Sequence, residues 1–399
     1  MVERVKGVRD FSGKEAAIRQ TILQKIRESY ELFGFEPVET PIIEYLSLFT
    51  QKSGEEIESQ IYSFADKKGE KLALRPEHTV SKLRLVASNK SIVKPFKAYS
   101  IGNVWRYEDP GKGRHREFTQ ADIDIYGSKS IKYDAEVIGC IDFALKRIGV
   151  ENFKVHINNR KVLQAVMESA KIPFLSSLQV MREMDKTDKI GAAAVRENIS
   201  KLVGNEKAEK IRDYIEGRFM PESEGNIEID ELLAYLKDYK VNAVVDNSLV
   251  RGIAYYDGNV FEFISEDEKF KGTVASGGRY DQLSLKFNTE MPITGGSIGF
   301  DRIMDMISKN VSDDFLDRYC VVNIDDVDKS IEIASRLREK GIQTDILFED
   351  VSLSKALDYC NSKKIRYAVI IGKRDIQKGE ITIRDLKEKK DLKVKESEL

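Results

Sequence analysis

Cysteine is scarce in this 399-residue chain, and its three copies, Cys140, Cys320 and Cys360, are widely spaced. An odd number with no CxxC spacing excludes a disulfide framework and a cysteine zinc site, and favours a reducing compartment. Histidine is equally rare. His78, His115 and His156 do not fall at zinc-ligand spacing, so no protein-bound metal is expected. Eight prolines are too few for a proline-rich linker. No run approaches the ~18 apolar residues that cross a bilayer, and MVERVKGVRDFSGKEAAIRQ has no secretory apolar core, so a cytoplasmic protein without membrane contact is expected. Neither a GxSxG elbow nor a G-x-G-x-x-G strand–helix opening occurs, which removes the usual serine-hydrolase and dinucleotide readings. Net charge is only −2, so any nucleic acid must be held by local basic patches.

What is present is ample material for a core: 41% hydrophobic and 33% charged residues. On a prior of roughly 150 residues per domain this length predicts two or three. From Glu15 to Phe33, Ile18, Ile22, Ile26 and Tyr30 recur at helical spacing, and Gly34 stands where the helix should stop. FEPVETPIIE follows as an extended stretch. Residues 97–106 and 117–126 read as strands joined by YEDPGKGRHR. Alternation in the second puts Ile123 and Ile125 on one face, with Gln120, Asp122 and Asp124 on the other. Residues 165–236 are helical and charge-rich, as an inserted module would be. Strands are expected again at AVVDNSLV, YDGNVFEFIS and GTVASG. The turn-rich TGGSIG should then lead into an apolar helix near Phe300. From Arg318 the texture changes: RYCVVNI, IQTDILF and IRYAVIIG read as buried strands. The helices between them should turn Ile331, Ala334, Leu337 and Leu353, Ala356, Leu357 inward, giving a separate α/β domain. The lysine-rich stretch 387–395 reads as a solvated end.

Four segments carry chemistry. In the first, Arg106 precedes a glycine-containing loop in which Lys112, Arg114 and Arg116 crowd together beside the polar face of the next strand. Guanidinium groups converging there suit a polyphosphate, although an exposed basic hairpin has the same composition. In the second, Arg251 lies next to Tyr255 and Tyr256, a grouping that ordinary packing also produces. In the third, GGSIGFDR, glycines precede a helix whose first turn carries Arg302, an arrangement that can attract phosphate but does not match a P-loop. In the fourth, LRPEHT, Glu77 taken alone is a helix-start acid.

Taken in order, these segments resemble histidyl-tRNA synthetases of the class II family. The helix with FEPVETPIIE is similar to motif 1, Arg106–Gly127 to motif 2 and GGSIGFDR to motif 3. LVRGIAYYDG and GGRYDQL are similar to the two signatures of the histidyl branch, and KGVRDF to the family's start. The resemblance implies an α+β catalytic domain, with an antiparallel sheet and flanking helices, over 1–317, interrupted by a helical insertion at 165–236. It implies an α/β anticodon-binding domain over 318–399. It further implies activation of L-histidine by ATP and transfer to the histidine tRNA by a homodimer joined through motif 1. Magnesium would arrive on the ATP phosphates. The site residues follow from the same resemblance. Arg106 would bind the α-phosphate, with Arg251 approaching from the opposite side, and Arg302 and Arg114 would complete ATP binding. Glu77 and Thr79 would take the α-amino group and Gln120 the amino-acid backbone. Asp124 and Tyr256 would grip the imidazole, beside Tyr255 and with Tyr280 closing the pocket. Two departures stand out: Asp124 replaces a bacterial glutamate, giving QADIDIYG an archaeal or eukaryotic wording, and Ala254 stands where relatives often have Asp.

Two other classes resemble the same core. One is a catalytically dead, histidine-binding regulator of ATP phosphoribosyltransferase, which typically lacks the final domain and the arginine of LVRGIAYYDG. The other is a non-catalytic nucleic-acid-binding accessory subunit, which has no need of three phosphate-binding arginines. This chain keeps the domain and Arg106, Arg251 and Arg302.

Overall fold

The computed structural model describes residues 3–50, 59–111, 113–250, 255–267, 271–307, 316–323, 326–349, 351–371 and 379–396. The chain forms two compact units, Met1–Asn310 and Val311–Leu399.

Strands of the first unit are β1 Glu36–Pro37, β2 Ile43–Tyr45, β3 Ser63–Ala65, β4 Lys71–Leu74, β5 Phe96–Trp105, β6 Glu117–Tyr126, β7 Phe153–Asn159, β8 Ala243–Val245, β9 Asn259–Ser265, β10 Gly272–Arg279 and β11 Ile293–Gly299. Eight of them make one sheet in the order β1-β5-β6-β11-β10-β9-β7-β8. From β5 to β7 every neighbour is antiparallel, and only β1 and β8 at the edges run parallel to their partners. β2, β4 and β3 form a small separate sheet.

The main sheet has one apolar face and one polar face. Ile123, Ile125, Phe263 and Ile298 bury against Ile22, Ile26 and Tyr30 of the helix Gly13–Leu32 and Ile138 and Ile141 of the helix Lys132–Arg147. Burying apolar side chains from both layers is the main drive for this packing. The first helix ends where expected, because Gly34 adopts a φ of +76° that an L side chain resists. Tyr30 donates its hydroxyl to the Ala121 carbonyl at 2.9 Å, tying the helix to β6.

Helices Arg160–Ser169, Phe174–Met184, Thr187–Val203, Asn205–Ile215 and Glu224–Asp238 occupy the stretch read as helical from the sequence. They have an apolar core of their own, including Val162, Val166, Ile199, Ile211 and Tyr214. The first of them starts at 160 rather than 165, because the Asn159 side chain accepts the Lys161 amide at 2.9 Å and caps it.

Two other readings need correction. AVVDNSLV is a strand only over Ala243–Val245, since Asp246 turns the chain by accepting the Ser248 amide at 2.9 Å. TGGSIG is not a turn but the body of β11. The stretch 387–395 is solvent-exposed as expected, and forms a turn and a strand described next.

In the second unit, β12 Leu316–Asn323, β13 Thr344–Leu347, β14 Ile365–Ile371, β15 Glu380–Asp385 and β16 Lys390–Lys395 form a five-stranded sheet ordered β13-β12-β14-β15-β16. β12 is parallel to β13 and β14, and β15 and β16 form an antiparallel hairpin. Lys390, Lys393 and Lys395 therefore lie on an exposed edge strand, where charge discourages further strand pairing, and Lys387 and Lys389 lie in the turn before it. In the helix Val327–Glu339 the buried apolar positions are Ile333, Ala334 and Leu337, while Ile331 is exposed. In the helix Leu353–Ser362, Ala356 and Cys360 are buried, with Leu353 and Leu357 packed beside them.

Candidate active site

The polar face of β6 is the floor of the site. Cross-strand register sets Asp124 opposite Gly295, Asp122 opposite Ser297 and Gln120 opposite Gly299. Pro76, Glu77 and Thr79, at the start of the helix Thr79–Ser88, and Tyr255, Tyr256 and Tyr280 enclose this floor. The resulting cavity has a volume of about 420 Å³. It contains Glu77, Thr79, Gln120, Asp124, Tyr255, Tyr256 and Tyr280, all seven of which the family resemblance assigns to the amino acid. Arg251, placed with them by the same resemblance, lies outside the described residues, as do Lys112 and Ala254.

The glycines of β10 and β11 make this floor possible. A Cβ on Gly295 would come within 2.2 Å of Asp124 Oδ1 and 2.6 Å of the Tyr280 hydroxyl. One on Gly277 would lie 2.2 Å from the Gly295 carbonyl oxygen. Glycine within a strand often marks such a close approach, and here it leaves room for Asp124 and Tyr280 to meet. The run reads as a turn in the sequence because glycine signals both.

Asp124 is buried. Its Oδ1 accepts the hydroxyl of Tyr280, and its Oδ2 pairs with Lys82, whose side chain is also fully buried. Asp122, buried beside it, is pushed up to about 7 by burial, against the pull of Lys82. Burial also raises the hydroxyls of Tyr255, Tyr256 and Tyr280, keeping them neutral donors. The three rings pack together with centroids 5.2–6.0 Å apart. Glu77 does act as a helix-start acid, accepting the amides of Thr79 at 2.8 Å and Val80 at 2.9 Å. A carboxylate has acceptor capacity beyond two such bonds, so this does not prevent a further donor in the cavity. His78 is buried and held neutral, lowered to about 3 by burial and then by Lys82 and Arg75.

A second cavity of about 240 Å³ adjoins the first. Arg106, Arg114 and Arg302 line it, with Gly113 and His115 from the β5–β6 loop and Phe118 from β6. Arg106, Gln120, Ser276 and Ser297 line both cavities, so the two share a wall. Arg106 is held by donating Nε to the Pro76 carbonyl at 2.9 Å, and Arg302 by donating to the Thr273 carbonyl at 2.9 Å. Asp301, next to Arg302, receives Arg9 at 2.6 Å and Arg19 at 2.7 Å, and accepts the Thr119 amide at 2.6 Å. KGVRDF is thereby anchored, with Phe11 under the guanidinium groups of Arg9 and Arg19. Gly7 has a φ of +87° and a Cβ there would meet the Arg116 side chain at 2.8 Å.

Sequence reading missed several lining residues. Ser276 pairs with Glu262 and Ser297 across the consecutive strands β9, β10 and β11, and although Ser297 lies within GGSIGFDR, none of the three had a role. Asp122 was visible on the polar face but had no role. Lys82 sits at an ordinary interior position of a helix.

The comparisons agree with this geometry. The histidyl-tRNA synthetase family profile matches residues 7–303, and the anticodon binding domain profile matches 319–399. The chain is 36% identical to the histidine–tRNA ligase of Pyrococcus abyssi (strain GE5 / Orsay), covering 97% of this chain and 95% of that protein. It is 35% identical to that of Pyrococcus horikoshii over the same shares. The crystal structure of histidyl-tRNA synthetase from Nostoc sp. PCC 7120 superposes with a TM-score of 0.86 at 27% identity, covering 99% of this chain and 97% of that one. The chain belongs to the histidyl-tRNA synthetase family.

Proposed function

We propose that the larger cavity binds L-histidine and the smaller one ATP, and that the two react across their shared wall at Arg106 and Gln120. The chain is an aminoacyl-tRNA ligase, and this adjacency is the observation that carries the division of the site. A carboxylate bound in one cavity and a triphosphate bound in the other would meet there.

In this reading Glu77 and Thr79 receive the α-ammonium group, and Gln120 contacts the amino-acid backbone. Asp124 accepts an imidazole N–H at the floor, Tyr256 completes the grip on the ring, and Tyr255 and Tyr280 close the pocket. Arg114 and Arg302 hold the outer phosphates and adenine, with magnesium entering on the phosphates as part of the substrate. The histidine carboxylate is already a nucleophile and needs no strong base. Its oxygen attacks the α-phosphorus, the bond to the β-phosphate oxygen breaks, and pyrophosphate leaves. Arg106 stabilises the charge developing on the α-phosphate, with Arg251 assigned to the opposite side. Positioning and preorganised charge supply most of the acceleration. A ribose hydroxyl at the 3′ end of the histidine tRNA then attacks the adenylate carbonyl and releases AMP. The second unit contacts the tRNA at its anticodon. Two copies associate in the cytoplasm through the motif 1 region, where Ile42, Ile43 and Tyr45 are exposed.

Separate steady-state titrations in ATP–pyrophosphate exchange test the assignment. Asp124→Ala should cost roughly 2–4 kcal/mol in kcat/KM for histidine, the loss of a charged hydrogen bond in a closed site, with the KM for ATP almost unchanged. Arg302→Ala should do the reverse. A tenfold rise in the ATP KM of Asp124→Ala with normal histidine dependence would overturn it.

A further inference from the structure

Lys82 is the least expected residue in the first unit. It is the fourth residue of the helix Thr79–Ser88, its side chain is wholly buried, and it does not line either cavity. Burying an ammonium costs several kcal/mol unless a partner repays it, and a methionine would fill this helix position without that cost. Its partner is Asp124 Oδ2, on the floor of the larger cavity. The other oxygen of the same carboxylate accepts from Tyr280. Asp122 is buried two residues away on the same strand face, and its Oδ1 has no hydrogen-bond partner among the described residues. Two neighbouring buried carboxylates repel, and Lys82 is the foremost cation acting on Asp122 as well.

We infer that Lys82 is a positioning residue for histidine recognition: pinning Oδ2 of Asp124, and offsetting the charge of Asp122, it fixes the carboxylate rotamer that presents an acceptor to the imidazole. This deepens the proposal above and rests on the assignment of Asp124 to histidine. The effect reaches the substrate through Asp124, Asp122 entering only by its repulsion of that carboxylate. Lys82 touches no substrate, so its removal should disturb histidine binding and leave the phosphate end of the site intact.

The test is a double-mutant cycle in the full chain, with histidine and ATP titrated separately in pyrophosphate exchange. Lys82→Met should raise the histidine KM at least tenfold, with kcat within about threefold and the ATP KM within about twofold of wild type. In an Asp124→Asn background the same substitution should add less than twofold. A histidine KM within twofold of wild type for Lys82→Met, or an undiminished effect in the Asp124→Asn background, would overturn the inference. If Lys82→Met leaves Asp124 unpaired and fails to fold, the charge-neutral pair Lys82→Met/Asp124→Asn decides alone. Its histidine KM should match that of Asp124→Asn, and a further tenfold rise would refute the role. If Asp124→Asn itself leaves the histidine KM unchanged, the assignment of the cavity fails, whereas a silent Lys82→Met beside an impaired Asp124→Asn refutes only the role of Lys82.

Discussion

The hydroxyl of Tyr280 donates to Oδ1 of Asp124 across 156 residues of sequence, with Gly295 directly beneath the pair. A methyl group on Gly295 has no space that does not belong to one of these oxygens. Gly295→Ala should therefore separate them, at a cost of about 1–3 kcal/mol of the kind that overpacking imposes. Histidine KM in pyrophosphate exchange should rise about tenfold or more, with the ATP KM unchanged. A normal histidine KM would mean that the pair contributes nothing to recognition.

Asp301 holds Arg9, Arg19 and the Thr119 amide in a largely buried cluster. Asp301→Ala would leave the buried Arg19 guanidinium without its carboxylate, and such a loss costs about 3–5 kcal/mol. Urea unfolding followed by a probe in the first unit should register that drop. A loss below about 1 kcal/mol would show that the cluster is already satisfied without Asp301.

Asp122 carries a pH signature. Burial first of all raises its carboxyl from the ordinary 3.8 to about 7. Between these values the folded chain keeps a proton that the unfolded chain has released. The stability this group contributes is complete below about pH 4, is lost as pH rises through 7, and changes little above. Asp122→Asn removes that loss. Its melting temperature relative to wild type should climb between pH 4 and pH 7 and then level off. A difference that stays flat across this window would contradict the burial argument.

The two units predict a division of labour. Both cavities lie within Met1–Asn310, so a chain ending at Asn310 should retain histidine-dependent pyrophosphate exchange. It should charge tRNA poorly and lose its preference for the histidine anticodon. The lost contribution should weaken with salt in the intact protein, as phosphate contacts do. Loss of exchange together with charging, in a folded truncated protein, would contradict this division.

The sequence carried the parts of the site that have local periodicity. Alternation along β6 separates Ile123 and Ile125 from Gln120, Asp122 and Asp124, and the structure turns the first pair into the core and the second set toward the cavities. The long first helix was legible for the same reason, with Gly34 as its stop. What was illegible depends on distant strands coming together. Gly295 and Gly296 look like turn residues until the side chains above them are known, and then they are the space those side chains need. Lys82 gives no signal because helix periodicity does not register what lies across the gap. The edge strand Lys390–Lys395 was hidden by its charge, which suits an exposed edge as well as a free tail.

The most direct test of the central claim is ATP–pyrophosphate exchange with the purified full-length protein, tried separately with each of the twenty amino acids. The account predicts that only histidine supports exchange, with the Asp124→Ala variant losing that response. Exchange driven by another amino acid, or none with histidine in a folded protein that binds ATP, would contradict it.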